Sequence, residues 1–147
     1  MEDKMFEEKV IEISRVSRTV KGGKRISFRA LVIIGDKVSR AGIGLGKARD
    51  VSVAIKKAIS SAKRSMITVS LSEVGSINKE TTSIFNGAKV LLRPAPEGTS
   101  IISGGVVRAV AELAGVKNLV AKSYGSSNKI NLAKATLNGL IKAQSNG

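Results

Sequence analysis

The 147-residue chain contains no cysteine, no histidine and no tryptophan. Without cysteine there is no disulfide scaffold and no thiolate metal site, and a reducing compartment fits. Without cysteine and histidine the common nucleophile–base pairs cannot be built. Carboxylates do not replace them: beyond residue 12 the acids are Asp36, Asp50, Glu73, Glu80, Glu97 and Glu112, scattered singly along the chain. No paired-carboxylate chemistry can be assembled from that spacing. No catalytic residue, metal ligand, cofactor or small-molecule substrate is therefore expected. Aromatic residues are nearly absent, with three Phe and one Tyr. The core must be aliphatic, and recognition of single strands by base stacking is excluded for want of stacking platforms. No apolar run approaches the roughly 18 residues of a membrane-spanning helix. The opening "MEDKMFEEKVIE" carries five acids and no apolar h-region, unlike a secretory signal or an Arg-rich transit peptide. A cytoplasmic location is expected, with an organelle left open, and no membrane partner.

What is abundant is positive charge. Lysine and arginine number 25 against 11 acids, a formal net of +14. Five of those acids lie in the first twelve residues, so 23 basic side chains face only 6 acidic ones from residue 13 onward. Such imbalance opposes compactness by self-repulsion, which a polyanionic partner relieves. Nucleic acid is the favoured partner; an anionic membrane surface or mere solubility are the alternatives. The hydrophobic fraction of 42% is enough for a real core, in one ordinary domain or two small ones.

Residues 9 to 20 alternate imperfectly and predict a strand with a bulge or early end. "KGGK" at 21–24 is a turn. "RISFRALVII" alternates cleanly, with Ile26, Phe28, Ala30, Val32 and Ile34 on one side, and "GDKVS" turns the chain again. Residues 47 to 66 predict an amphipathic helix with Val51, Ile55, Ala58, Ala62 and Met66 inward. Arg49, Lys56 and Lys63, with Lys57 and Arg64, form its basic stripe. This first half reads β-β-β-α. "SLSEVGS" at 70–76 predicts a flexible linker, giving domains 5–72 and 73–147. The second half predicts a strand over 88–95 stopped by Pro94 and Pro96, a Gly/Ser-rich connection, and a short helix with Val106, Val110 and Leu113 inward. Gly115 is placed as its C-cap. A strand over "VKNLVAKSYG", a turn at "SSN" and a last helix over 130–143 follow, the helix with Ala133, Leu137, Leu140 and Ile141 inward.

The densest cationic cluster is Arg15, Arg18, Lys21, Lys24, Arg25 and Arg29, spanning a hairpin with Gly22 and Gly23 at its tip. No acid interrupts it, and the tip can follow a phosphate backbone. "RAGIGLGKARD" at 40–50 poses a separate question, with Gly42, Gly44 and Gly46 at every second position. A Walker loop requires a glycine where Ala41 stands and a hydroxyl where Ala48 stands; a dinucleotide fingerprint requires glycine at Lys47. Both templates fail. Period two instead puts the glycines on one face of a strand, so something approaches that backbone closely. Either a protein surface or a nucleic-acid backbone fits, and the protein is preferred. Lys47 and Arg49 are expected in the first turn of the following helix, where free N–H groups favour an anion.

"SRVSRTVKGGKRISFRALVIIGD", "GKARDVSVAIKKA", "PAPEGTSIISGGVVRAVAELAGVKN" and "KSYGSSNKINLAKAT" together resemble small-subunit ribosomal protein five of the bacterial type, over about residues 9 to 142. The resemblance implies an α+β fold of two domains, one double-stranded-RNA-binding-like (β-β-β-α) and one α/β with a left-handed βαβ unit. It implies a structural role on the small subunit, binding ribosomal RNA between head and body. The hairpin matching Val20 to Arg29 would reach RNA near the decoding region, close to the messenger RNA path. Gly98, Thr99, Ser100, Ser103, Gly104 and Arg108 would lie towards ribosomal protein four, at an interface affecting translational accuracy, and protein eight would be a further neighbour. The chain departs from the family where Ile43 and Leu45 replace frequent aromatics and where "GDKVSR" lacks a turn glycine. Ser100 and Ser103 replace a common Gly and Ala, and Lys129 a common Pro.

Overall fold

A computed structural model describes residues 6–125 and 128–143. Part of the expected "SSN" turn, the first five residues and the last four lie outside that range. The first half contains β1 (Glu7–Val20), β2 (Gly23–Gly35), β3 (Arg40–Ala48), α1 (Val51–Arg64) and β4 (Ile67–Thr68). Its sheet is antiparallel in the order β1-β2-β3-β4. The register of β1 against β2 shifts between Val10 and Glu12, so the imperfect alternation read there is a bulge.

The second half contains β5 (Thr81–Phe85), β6 (Ala88–Pro94), β7 (Ile101–Ile102), α2 (Gly105–Leu113), β8 (Leu119–Gly125) and α3 (Lys129–Lys142). Its sheet has the order β5-β6-β8-β7, antiparallel except for β7 beside β8, which are joined through α2 as a βαβ unit. The strands β4, β5 and β7 have no counterpart in the sequence reading. Two are only two residues long, and β5, "TTSIF", has too few apolar positions to show a period.

Several expectations need correction. Lys47 is in β3 and Arg49 precedes the helix N-cap, Asp50, so neither lies in the first turn of α1. Pairing with β2 as far as Phe28↔Ala48 holds the chain extended there, overriding its helical propensity. The buried face of α1 is Ala54, Ala58 and Ala62, with Val51 and Ile55 only half-buried at its margin. In β2, Ala30 to Ile34 are buried without alternation, because both faces of the strand are covered. One face meets α1 through Ala30, Val32, Ala54 and Ala58. The other sends Ile33 into the main core, with Val90, Leu92, Val110 and Leu140 of the second half.

The 70–76 segment is no flexible spacer. Val69, Ser76 and Ile77 are buried, Ser76 Oγ accepts the Ala95 N–H at 3.1 Å, and Asn118 Nδ2 donates to the Val74 carbonyl at 2.6 Å. In α2, Val106 is half-buried while Val107, Ala109 and Ala111 join Val110 and Leu113 inside; Ala114 is the C-cap and Gly115 follows it. In α3, Ile141 is exposed, whereas Ala133, Leu137 and Leu140 are buried as expected.

The two halves are hooked together at the β2–β3 turn. Asp36 Oδ1 accepts the N–H groups of Val38, Ser39 and Arg40 at 2.9, 3.0 and 2.9 Å. Arg40 Nε donates to Asp36 Oδ2 at 3.3 Å. Burial pulls the carboxyl of Asp36 up, but the three N–H groups and the guanidinium outweigh it and hold the pKa at about 2. With the turn so fixed, Lys37 takes a φ of 59° without a glycine, and its N–H donates to the Leu113 carbonyl at the end of α2 at 3.0 Å. That bond satisfies one orphan carbonyl of the helix, while the Lys37 ammonium pairs with Glu7 at 3.3 Å.

Candidate nucleic-acid interface

The period-two glycines settle first, since they decide what the first domain can present. A Cβ on Gly42 would meet the Ala62 carbonyl oxygen, one on Gly44 the Ala58 oxygen and one on Gly46 the Ala54 oxygen. These are backbone atoms of α1, four residues apart, and they cannot move independently. The glycine face of β3 and the alanine face of α1 are therefore one close-packed interface. The bare face meets protein, within the same chain, and it is not available to RNA. Ser65 Oγ reinforces the contact by donating to the Ile43 carbonyl at 3.0 Å.

Because the alanine face of α1 is consumed in this way, its other side is fully outward. Lys56, Lys57, Lys63 and Arg64 are exposed there. Lys47, Lys56, Lys57 and Arg64 line a basic groove between the end of β3 and the helix, and Lys57 Nζ donates to the Lys47 carbonyl at 3.3 Å. The sequence places Lys57 and Arg64 in the basic stripe without singling them out as site residues; the groove adds them. Lys63 lies two helical turns beyond Lys56 on the same outward side.

The hairpin is regular to its tip. Val20 pairs with Gly23 across Lys21 and Gly22, whose φ of 99° closes the two-residue turn. A Cβ at Gly22 or Gly23 would meet nothing within 4 Å, so here glycine serves the backbone angle rather than close packing. Register distributes the cations between the faces. Arg18 pairs with Arg25, and Arg29 lies between Ser14 and Lys47, so Arg18, Arg25, Arg29 and Lys47 share the face away from α1. Arg15, opposite Phe28, and Lys24, opposite Thr19, are on the helix side. A shallow groove of Lys24, Arg25, Ile26 and Arg49 joins the hairpin to the start of α1. The hairpin, this groove and the helix groove follow one another as a cationic track along this end of the domain, with the hairpin cations divided between the two faces of the sheet. Among the described residues, no carboxylate lies within ion-pair distance of the hairpin cations, Lys47, Arg49 or Lys56.

The residues expected at a protein contact sit apart from this track. Gly98 and Thr99 lie in the β6–β7 loop, Ser100 has a φ of 63°, Ser103 leads to the N-cap Gly104, and Arg108 pairs with Glu112 at 3.3 Å on α2. The loop is held by a side chain that sequence reasoning missed. Asn118, buried at the start of β8, accepts the N–H groups of Gly98 and Ser100 at 3.1 and 3.0 Å. A lone asparagine after a helix gives no pattern that reveals such a tie.

The family model for the N-terminal domain of ribosomal protein S5 matches residues 6–70, and that for the C-terminal domain matches residues 83–146. A small ribosomal subunit protein uS5 of Thermotoga petrophila is 56% identical over 135 residues, 92% of this chain and 75% of the relative. Those of Synechocystis and Vibrio cholerae are 49% identical over 139 residues and 48% over 140, each covering 95% of this chain and 80% and 83% of the relative. Both halves of the fold are matched in order, and the chain belongs to the ribosomal protein S5 family of structural, non-enzymatic constituents of the small ribosomal subunit.

Proposed function

We propose that this chain holds small-subunit ribosomal RNA through the phosphate backbone, using the track from Arg15, Arg18, Lys21, Lys24, Arg25 and Arg29 through Arg49 and Lys47 to Lys56 and Lys63. The observation that carries the reading is the accumulation of these cations on an ordered hairpin and helix face, with no carboxylate among the described residues within ion-pair distance of the hairpin cations, Lys47, Arg49 or Lys56. Gly22 and Gly23 let the tip approach RNA closely, because nothing stands beside their α-carbons. The scarcity of aromatics supports contact with backbone and shape rather than stacked bases.

The finer assignment divides the work between domains 5–72 and 73–147. The first grips RNA; the second turns Gly98, Thr99, Ser100, Ser103, Gly104 and Arg108 towards ribosomal protein four, with protein eight as another neighbour. A two-domain body hooked rigidly at Asp36 and sharing one core suits a bridge between head and body of the subunit, next to the messenger RNA path, and so a part in translational accuracy.

Equilibrium binding of the chain to small-subunit ribosomal RNA across a potassium chloride series tests the reading. Log affinity should fall linearly with log salt, by about 0.7 to 0.9 per phosphate neutralised. With six or more contacts, the loss between 50 and 200 mM salt is on the order of a thousandfold. Binding that ignores salt overturns the proposal.

A further inference from the structure

β3 pairs with β4 only at Arg40 and Ala41, so among the described residues its outer edge runs on unpaired past Ile43 and Leu45. Facing that edge, α3 presents Lys134, Leu137 and Ile141, three and four residues apart and so on one side of the helix. Between them lies a cleft of about 460 Å³. That size falls in the roughly 300 to 1,000 Å³ range of small-molecule clefts, which favour the seams between domains.

The cleft is aliphatic with a single cation. Ile43, Leu45 and Leu137 line it, and Ile141 stands 37% exposed at its side. Lys134 is half-buried, its Nζ 5.5 Å from the centroid of the Phe85 ring. No carboxylate lines the cleft, and among the described residues none lies within ion-pair distance of Lys134. A half-buried ammonium without a counter-ion is complementary to an incoming carboxylate. The strand edge adds a second donor. Ser65 Oγ and Lys57 Nζ donate to the Ile43 and Lys47 carbonyls from the outer side, at 3.0 and 3.3 Å. Alternation along the strand therefore turns the Leu45 N–H to the same open edge.

We infer that this cleft binds a small amphipathic carboxylate, a medium-chain alkyl acid. Its tail lies along Ile43, Leu45, Leu137 and Ile141, and its head meets the Lys134 ammonium and the Leu45 N–H. Two rival occupants fit less well. A peptide strand adding to β3 needs the Ile43 and Lys47 carbonyls, and both are already taken. A nucleic-acid backbone would find one cation among aliphatic walls. A ligand in this place touches both halves of the chain, so its binding stabilises the fold. The inference is independent of the ribosomal reading above.

The test titrates octanoate into the full chain, followed by methyl NMR and by thermal unfolding. Shifts at the Ile43, Leu45 and Ile141 methyls should saturate at one octanoate per chain, and the unfolding midpoint should rise with octanoate. With 25 lysines and arginines the chain attracts any anion, so the decisive arms alter the cleft alone. Lys134→Gln should weaken octanoate about tenfold, and octanol, which has the tail without the charge, should bind the parent about tenfold more weakly. Leu45→Phe fills the cleft and should abolish the saturable shifts at Ile43 and Ile141. Ile141→Trp fills it from α3 and serves the same purpose if Leu45→Phe does not fold. Shifts that never saturate, shifts that map outside the cleft, or an affinity unmoved by Lys134→Gln or by the filling variant overturn the inference.

Discussion

Every residue from Ala30 to Ile34 of β2 is buried, while every residue from Lys21 to Ile26, on the same hairpin, is exposed. At the buried end the strand lies between α1 and the second half of the molecule, and small differences in side-chain size are felt at once. At the exposed end the side chains are long and cationic, and no carboxylate is within ion-pair distance of them among the described residues. One antiparallel ribbon is therefore anchored at one end and offered at the other. Rigidity at the anchored end keeps the cations in register without any packing of their own. Changes at the two ends should separate cleanly into folding defects and binding defects.

The largest effect is expected at the anchored end. Gly44→Ala adds a single carbon that would overlap the Ala58 carbonyl and crowd the Ala62 amide nitrogen. Neither can yield without moving α1. Chemical denaturation should show a loss of about 3 kcal/mol, the upper part of the range for overpacking, or no folded protein at all. A fully stable Gly44→Ala variant contradicts the close packing of β3 on α1.

At the offered end the effect moves to RNA. Replacing Arg18, Lys21 and Arg25 together by glutamine should leave stability within about 0.5 kcal/mol, because exposed positions without partners contribute little. Affinity for the ribosomal RNA should drop about a hundredfold near physiological salt, and the slope of log affinity on log salt should shrink by about 2 to 3. A triple variant that binds as tightly as the parent removes the hairpin from the interface.

How much of this was legible differs between the ends for the same physical reason. The cationic hairpin could be read directly, because charge and a Lys-Gly-Gly-Lys turn are local properties of the chain. The glycines of β3 announced a close approach, and excluding nucleotide loops needed only Ala41, Lys47 and Ala48. What approached was not legible: Ala58 and Ala62 belong to the inward face that the spacing predicts, but Ala54 is a weak apolar signal beside the larger Val51 and Ile55, which lie only at the margin of the buried face. Clean alternation in β2 concealed that Leu31 and Ile33 are also buried, since a period of two cannot report a second domain on the far face. The 70–76 segment looked like a linker because serine and glycine usually mark one; its ties to Asn118 and Ala95 are long-range. In the second half, the unexpected exposure of Ile141 places it beside Ile43, Leu45 and Phe85 in a cleft between the halves.

The smallest effect belongs to the hook that joins the anchored end to α2, and it depends on pH. The carboxyl of Asp36 has a pKa of about 2 in the folded chain, against roughly 3.9 for an unfolded aspartate. A folded value below the unfolded one means that the unfolded chain takes up the proton first as pH falls. The contribution of Asp36 is thus complete above about pH 4 and is lost as pH drops towards 2. Asp36→Ala leaves the Val38, Ser39 and Arg40 N–H groups without their acceptor, and Ser39 is part-buried. Unfolding at pH 7 should show a cost of about 1 to 2 kcal/mol, in the usual range for unsatisfied donors. Between pH 4 and 2 the gap between parent and variant should narrow, because the parent loses what the variant already lacks. A gap that stays constant over that interval would place the strength of the hook elsewhere, in the Lys37 bond to the end of α2, and the rigid seating of the β2–β3 turn would then no longer depend on the Asp36 charge.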